Sequence, residues 1–317
     1  MKKILTVLVV LAMVLSMCGM TAVAEGQHKI GILAPATTHG WVGGVTYFAQ
    51  QAADSLDIEY TLLTSSDADE MSSQIEQLIQ LGVEAIVVWP QFTGIETAAE
   101  MALEQGIKIY NFDMIINVDE KYADDMYVLT GDNYGMGVAG AKYIVDKIGT
   151  EGLVVTMPVP TSGSVSELRM KGFTETMKEI APNVVIKDYA NAAFSREEGL
   201  AVMADILTAN PEIDAVFSLD DETSIGALQA MADAGRTDIK AITGGGGCQE
   251  YFGIIKEKAG EIGACSALYS PLMIKDCLDV ALAVVGGETV DAVKVIPSQI
   301  VDASNVDEYL DPANTVY

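Results

Sequence analysis

Two patterns of apolar and polar residues alternate along most of this chain. Short runs rich in β-branched residues predict strands, and longer stretches with apolar residues three or four positions apart predict helices. In the stretch 68–81, for example, Met71, Ile75 and Leu78 fall on one helical face. This alternation predicts parallel sheets with helices on both faces, an α/β fold. The predicted strands are 29–33, 58–63, 85–88, 107–112, 126–130, 153–157, 184–189, 215–219, 241–243 and 262–267.

The alternation occurs as two series of similar length and predicts two lobes. The series meet at a polar, turn-prone segment, 131–133, where we place a hinge. We expect an N-terminal lobe of residues 28–131 plus 269–296 and a C-terminal lobe of residues 132–268 plus 297–312. Because ligands bind at the carboxyl ends of the strands in doubly wound sheets, two facing sheets predict a site in the cleft between the lobes.

The first 24 residues have the pattern of a secretory signal peptide. Lys2 and Lys3 precede an apolar run that ends at Met17, and the segment 22–24 supplies the small residues of a cleavage site. A lipoprotein signal with a lipid anchor at Cys18 stays open as the alternative. Under both alternatives we expect an exported protein that works outside the cytoplasm.

Charge and cysteine content restrict the classes of function. The chain has 45 acidic and 18 basic residues and a formal net charge of −27, which disfavours binding to nucleic acid or to anionic lipid surfaces. The cysteines form no C-x-x-C pair, so their spacing indicates neither a metal site nor a dense disulfide framework. One bridge between Cys248 and Cys265 stays open as an alternative to free buried thiols.

Catalytic and cofactor motifs are poorly represented, and the sequence predicts a protein that is not an enzyme. The two histidines, His28 and His39, are accompanied by no G-x-S-x-G elbow and no H-E-x-x-H motif. A glycine pattern at 135–140 resembles a dinucleotide fingerprint, but no acidic residue ends the next strand. The glycines at 244–247 lack the Gly-Lys-Ser/Thr sequence that ends a phosphate loop. We expect them to let the backbone approach a ligand or the other lobe closely. A carbohydrate-active enzyme with two carboxylates remains a remote alternative because acidic residues are many.

Several short segments together resemble a known family. Their order and spacing carry the resemblance, and the segment from Ala215-Val216-Phe217 to Asp220-Asp221-Glu222 is the most specific. The others are Lys29-Ile30-Gly31-Ile32, 74–79, 82–88, 106–109 with Phe112-Asp113, 131–133, and Arg169 with Gly172-Phe173.

Over about residues 29–300 the chain resembles the ribose-type periplasmic sugar-binding proteins, which have the type I binding-protein fold. The resemblance implies two doubly wound lobes joined by a three-segment hinge, near 130–133, 267–270 and 296–298. It also implies a sugar or polyol ligand, an ABC permease as partner, no cofactor, and a monomer. A receptor for an amine-bearing or signalling molecule stays open as the alternative.

The resemblance also implies a binding site, position by position. An aromatic residue that stacks on a sugar ring matches Trp41 on the first lobe, and its counterpart on the second lobe matches Phe194. The aspartate after the fourth strand is kept as Asp113, whereas Tyr269 stands where a glutamine is expected. The predicted binding residues are His39, Trp41, Trp89, Asp113, Glu167, Arg169, Phe194, Asp220, Glu222, Gln249 and Tyr269.

This chain departs from the family pattern in its charged residues. Met114 and Glu167 stand where arginines are usual, Asp220 replaces an asparagine, and the aspartate expected near Gly246 is absent. Compared with the family pattern, the predicted pocket therefore loses the guanidinium groups of arginine as donors and keeps or gains carboxylates. Carboxylates accept hydrogen bonds from sugar hydroxyls, and they also attract an ammonium group, so the pattern suits both kinds of ligand.

Overall fold

The computed structural model of the protein describes residues 27–37, 40–56, 58–315 and 317. Residues 1–24 and the alternative lipid anchor at Cys18 lie outside the described residues, as does His39.

Apolar runs form the strands, which are mostly buried, and the amphipathic stretches between them form the helices. The strands are β1 (Lys29–Pro35), β2 (Glu59–Ser65), β3 (Ala85–Val88), β4 (Lys108–Phe112), β5 (Met126–Gly131), β6 (Glu151–Met157), β7 (Asn183–Asp188), β8 (Ala215–Ser218), β9 (Ala241–Gly246), β10 (Gly263–Leu268), β11 (Val293–Ile296) and β12 (Ile300–Asp302). The helices are α1 (Gly40–Ser55), α2 (Ala68–Leu81), α3 (Glu96–Glu104), α4 (Asn133–Ile148), α5 (Ser164–Ile180), α6 (Arg196–Ala209), α7 (Asp221–Asp233), α8 (Gln249–Glu257) and α9 (Ile274–Val285).

The strands form two six-stranded sheets of the same design. The first has the order β11-β5-β4-β3-β1-β2 with every pair parallel, and the second has the order β12-β10-β9-β8-β6-β7. Only β12, at the edge of the second sheet, runs antiparallel to its neighbour. The strand order reverses beside β1 in one sheet and beside β6 in the other, which is the position where doubly wound sheets leave a crevice.

Each sheet carries helices on both faces and has its own core. On the first sheet, α1 and α9 cover one face and α2 and α3 the other. On the second sheet, α6, α7 and α8 cover one face and α4 and α5 the other. These two lobes confirm the predicted α/β fold. No helix formed by the described residues is long and apolar enough to span a membrane.

The chain passes between the two sheets three times. It leaves the first sheet after β5, returns after β10, and leaves again between β11 and β12. The strands β11 and β12 were not among the strands that the sequence pattern predicted. They matter for the architecture because they add an edge to each sheet and supply the third connection.

The glycine pattern at 135–140 has a packing role. A Cβ atom on Gly137 would lie 2.0 Å from the carbonyl oxygen of Arg169, so this glycine lets α4 and α5 pack closely. A Cβ on Gly140 would lie 2.6 Å from the Phe217 ring, which brings α4 against the sheet. Because the close contact between α4 and α5 fixes the position of α5, it also fixes the backbone of Arg169 at the edge of the second lobe.

Candidate functional site

The two tryptophans lie together at the carboxyl ends of the first-lobe strands. Trp41 belongs to the first turn of α1, and Trp89 directly follows β3. Their ring centroids are 6.0 Å apart, and the Trp41 ring also stacks on Phe112 at 6.0 Å with an interplanar angle of 8°. Trp89 is 7% exposed, whereas Trp41 is only half-buried and packs against cores of both lobes. Trp41 therefore presents an aromatic surface at the boundary between the lobes.

Asp113 directly follows β4 and accepts hydrogen bonds from two aromatic side chains. Its Oδ2 accepts from Trp89 Nε1 at 3.0 Å, and its Oδ1 accepts from the Tyr269 hydroxyl. Its φ is 65°, the only positive φ of a non-glycine residue among the described residues. A left-handed conformation costs an aspartate about 1–2 kcal/mol, and such strain concentrates at functional sites. The backbone geometry thus holds this carboxylate at the cleft edge of the sheet.

Tyr269 lies on the second connection between the lobes and touches both of them. Its carbonyl oxygen accepts from Trp41 Nε1 at 2.7 Å, and its backbone N–H donates to the Gly246 carbonyl at 3.2 Å. A Cβ on Gly131 would lie 2.3 Å from the Tyr269 ring, so the absence of a side chain at Gly131 makes room for it. Burial and the neighbouring Asp113 raise the pKa of the Tyr269 hydroxyl above its usual range, which keeps it a donor.

Arg169 supplies the cationic group of this cluster from the second lobe. Its Nε donates to Asn133 Oδ1 at 2.8 Å and its Nη1 donates to the Leu219 carbonyl at 2.7 Å. The guanidinium carbon lies 5.1 Å from the centroid of the Tyr269 ring and 5.9 Å from that of Phe194. Burial lowers the pKa of the guanidinium, but arginine remains charged in proteins. Arg169 therefore links Phe194 to the aromatic residues of the first lobe.

Asp220 and Asp221 form a buried acidic pair at the start of α7. Asp220 caps the helix by accepting from the backbone N–H groups of Glu222 and Thr223 at 3.2 Å. Burial raises the pKa of Asp220 to about 6, against the opposing effect of hydrogen bonds and Arg169. Burial raises the pKa of Asp221 further, to about 7, although its Oδ2 accepts from Gly247 N, Cys248 N and Ser266 Oγ. Asp221 thus ties the glycine turn after β9 to the helix.

A cavity of about 480 Å³ adjoins this acidic pair on the second lobe. Arg196 forms ion pairs with two carboxylates that line the cavity, those of Glu222 and Glu250. The Cys248 thiol lies 3.8 Å from Glu222 Oε1. The cavity is lined by Gly40, Arg196, Glu222, Cys248, Gln249, Glu250, Asn314, Thr315 and Tyr317. Because Gly40 begins α1 of the first lobe and most other lining residues belong to the second, the cavity opens at the boundary between the lobes.

The structure divides the predicted site residues into three groups. Glu222 and Gln249 line the cavity, and Asp220 caps the helix beside it. Glu167 is exposed in the first turn of α5, and no described side-chain hydrogen bond or ion pair links it to the others. The residues that form one contiguous cluster are Trp41, Trp89, Asp113, Arg169, Phe194 and Tyr269.

Sequence reasoning missed several residues that complete the site. Asn133 orients Arg169, and Arg196 with Glu250 forms the charged edge of the cavity. Asn133 lies in a segment that carried the resemblance, so its position gave a usable signal. Tyr317 gave none, because its place in the cavity depends on a contact with Gly246, far away in the chain.

Cysteine and metal chemistry play no visible part in this region. Cys248, Cys265 and Cys277 are free and buried, so the structure contains no bridge between Cys248 and Cys265. Burial raises the pKa of the Cys248 thiol to about 12, which makes it a poor nucleophile. Among the residues that the structure describes, no group of three or more His, Cys, Asp or Glu could hold a metal ion.

Comparison with known proteins identifies the family. Residues 30–289 match the model of the periplasmic binding protein domain, and the chain belongs to this family. It is 28% identical to a xylitol-binding protein of Mycolicibacterium smegmatis over 92% of this chain and 83% of that protein. It is also 28% identical to the D-allose-binding periplasmic protein of Escherichia coli, over 69% of this chain and 72% of the relative.

Solved structures support the same fold. A periplasmic solute-binding protein of an ABC transporter from Actinobacillus succinogenes, with bound D-allose, superposes with a TM-score of 0.78 at 23% identity. The match covers 89% of this chain and 100% of that structure. The family consists of extracytoplasmic substrate-binding proteins, which confirms the predictions that the protein is not an enzyme and works outside the cytoplasm.

Proposed function

We propose that this protein captures a small neutral sugar or polyol between its lobes and delivers it to an ABC permease. The observation that carries the proposal is the contiguous cluster of Trp41, Asp113 and Arg169, which meets at the carboxyl ends of strands from both sheets. Relatives named for xylitol and for D-allose support the choice of ligand class. The family also favours a protein that meets its partners outside the cytoplasm.

The chemistry of the cluster suits a ligand with many hydroxyl groups. The apolar face of a sugar ring packs on an aromatic ring, and Trp41 offers such a face at the boundary. A carboxylate has about four lone-pair sites, so Asp113 can accept from ligand hydroxyls in addition to Trp89 and Tyr269. Glu222 and Gln249 bring further polar atoms to the edge of the adjoining cavity.

The three connections support binding by closure of the lobes. Each lobe keeps its own core, and the segments near 130–133, 267–270 and 296–298 join them. We infer that these segments are the hinge and that 28–131 plus 269–296 and 132–268 plus 297–312 move as two bodies in a monomer. A few residues at such connections absorb the change in φ and ψ when a cleft closes.

The ligand class is tested with a binding panel on the protein from residue 25 onwards. The panel contains xylitol, D-allose, D-ribose, myo-inositol and an amino sugar, and thermal shift followed by calorimetry measures binding. We expect at least one neutral member to stabilise the protein, because a ligand that binds only the native state raises its melting temperature. Asp113→Asn should weaken that binding, whereas Asp146→Asn, at an exposed position of α4, should not. Failure of every neutral member to bind would contradict the proposal.

A cationic ligand is the second candidate, favoured by the carboxylates of Asp113, Asp220 and Glu222. The amino sugar in the panel tests it, with salt as the deciding variable. Binding of a cation to these carboxylates should weaken as ionic strength rises, because salt screens charge attraction. Binding of a neutral sugar should change little over the same range of salt.

A further inference from the structure

Residues 311–315 and Tyr317, here called the strap, are fastened to the second lobe beside the cavity. Val316 lies outside the described residues. Gln249 holds the start of the strap, since its Oε1 accepts from Asp311 N at 2.7 Å and its Nε2 donates to the Tyr309 carbonyl at 3.1 Å. Further along, Asn314 Nδ2 donates to the Tyr317 carbonyl at 2.6 Å. The predicted site residue Gln249 therefore positions the strap as well as lining the cavity.

The side chain of Tyr317 reaches from the strap into the boundary between the lobes. It is 6% exposed and belongs to the core of the second lobe, against which Trp41 also packs. A Cβ on Gly246 would lie 2.1 Å from the Tyr317 hydroxyl oxygen, and Gly246 has a φ of 136°. On the first lobe, a Cβ on Gly44 would lie 3.4 Å from Tyr317 Cβ. The tyrosine thus spans the space between α1 and the end of β9.

The hydroxyl of Tyr317 occupies the place where a side chain of residue 246 would project. The resemblance predicted an aspartate near Gly246, and the sequence lacks one. Tyr317 fills that space with a neutral group, because burial and the nearby acidic groups, Asp221 first, raise the pKa of its hydroxyl well above the usual range. Tyr317 lines the cavity, so its side chain can meet a ligand there.

We propose that Tyr317 is a specificity-determining residue of the ligand cavity. Its ring forms one wall and limits the size of the ligand, and its hydroxyl offers the ligand a hydrogen bond. This inference rests on the proposed function, since it assumes that a small polyhydroxylated solute enters the cavity. It adds a residue from outside the matched domain range, 30–289, to the binding site.

Two variants of Tyr317 test the wall and the hydroxyl separately. Tyr317→Phe keeps the ring, and we expect it to weaken binding of xylitol or D-allose about three- to tenfold, the effect of one neutral hydrogen bond. Tyr317→Ala removes the wall, so binding of five-carbon xylitol should weaken more than binding of six-carbon D-allose. The matched control is Tyr309→Phe, whose hydroxyl bonds to Gln299 Oε1 at 3.0 Å outside the cavity lining. The control should bind both probes like the parent protein.

Three results in this binding experiment would overturn the inference. Unchanged dissociation constants and an unchanged ratio between the two probes in both variants would show that Tyr317 does not contact the ligand. Tighter binding of both probes by Tyr317→Ala would show that the side chain competes with the ligand instead of forming its wall. Equal losses in Tyr309→Phe and Tyr317→Phe would show that the loss is not specific to the Tyr317 hydroxyl.

A second measurement on the ligand-free protein separates this inference from the proposed function. Gly246→Ala is strained by its φ in any background, but in the parent it also meets the Tyr317 hydroxyl. In a double-mutant cycle followed by urea unfolding, Gly246→Ala should lower the midpoint less when Tyr317 is already alanine. Independent, additive effects would place Tyr317 elsewhere and overturn the inference even if sugars bind. If coupling is present but no neutral probe binds the parent, the placement of Tyr317 stands and the proposed function fails.

Discussion

The hydroxyl of Tyr269 donates a hydrogen bond to Asp113, and this bond joins the second connection between the lobes to the end of β4. The same tyrosine hydroxyl lies 3.1 Å from Thr130 Oγ1 and 3.3 Å from Asn133 Nδ2, on the first connection. One side chain therefore contacts two of the three connections and the acidic group of the candidate site. Its position makes Tyr269 a link between the candidate site and two of the connections between the lobes.

Removal of this hydroxyl should lower stability. Tyr269→Phe leaves Asp113, Thr130 and Asn133 without a shared partner, and we expect the free energy of unfolding in urea to fall by about 1.5–3 kcal/mol, the range for a hydrogen bond to a charged group. The control is Tyr309→Phe, because its hydroxyl bonds to an exposed side chain and should cost less than about 0.5 kcal/mol. Equal losses in the two variants would contradict the special role of the Tyr269 hydroxyl.

The buried acidic group of Asp221 should make stability depend on pH. Burial raises its pKa from the usual value of 3.8 to about 7. Between these two pH values the folded state therefore binds a proton at Asp221 that the unfolded state does not bind. Stability from this group is therefore greatest at low pH and falls as pH rises from about 4 through about 7.

Asp221→Asn isolates this contribution because asparagine resembles the protonated acid. Asp221 Oδ1 has no hydrogen-bond partner, so an amide nitrogen can replace it while the other oxygen keeps its three donors. We expect the free energy of unfolding in urea to be higher for the variant than for the parent at pH 8. At pH 5 this difference between variant and parent should be smaller by about 1–3 kcal/mol. An advantage that is the same at both pH values would show that Asp221 does not titrate in this interval.

The three described cysteines should behave as free, protected thiols. Burial raises the pKa values of Cys248, Cys265 and Cys277, which lowers the thiolate fraction and with it the reactivity. With protein that begins at residue 25, a disulfide reagent without reductant should find almost no thiol in the native state and three in urea. A value of one thiol in urea would indicate a bridge and contradict the structure.

Much of the architecture could be predicted from the sequence, because buried parallel strands are continuous apolar runs. The resemblance placed Trp89 and Asp113 in the predicted site, and each directly follows such a run. The strand β11 was not predicted, because its edge position leaves most of its residues exposed and its pattern shows no buried face. Its partner at the third connection, β12, has three residues, which is too short for a periodic signal.

The candidate site was less predictable, because it depends on contacts between distant parts of the chain. Glu167 and Arg169 are two residues apart in one helix turn, yet Arg169 is buried and Glu167 is exposed, since only one side of α5 faces the second-lobe core. The sequence identified Tyr269 as a replacement for glutamine, but its bond to Asp113 requires the chain to return from β10. Tyr317 needs the room beside Gly246, which only the folded chain creates.

Closure of the cleft should be visible in solution. If the three connections form a hinge, saturating amounts of a panel member that binds should reduce the radius of gyration measured by small-angle scattering. A member of the panel that does not stabilise the protein serves as the control for solvent contrast. A radius that stays constant under verified saturation would contradict the division into two moving bodies.

The most direct test of the account is tryptophan emission during titration with xylitol or D-allose, whichever stabilises the protein. Trp41 and Trp89 are the only tryptophans in the chain, and both belong to the cluster, so no distant tryptophan dilutes the signal. We predict that emission shifts or is quenched on binding, that the change persists in Trp89→Phe, and that Trp41→Ala weakens binding by about 1–3 kcal/mol. Emission that stays constant on verified binding, with Trp41→Ala and Asp113→Ala both binding like the parent, would contradict the placement of the ligand between the lobes.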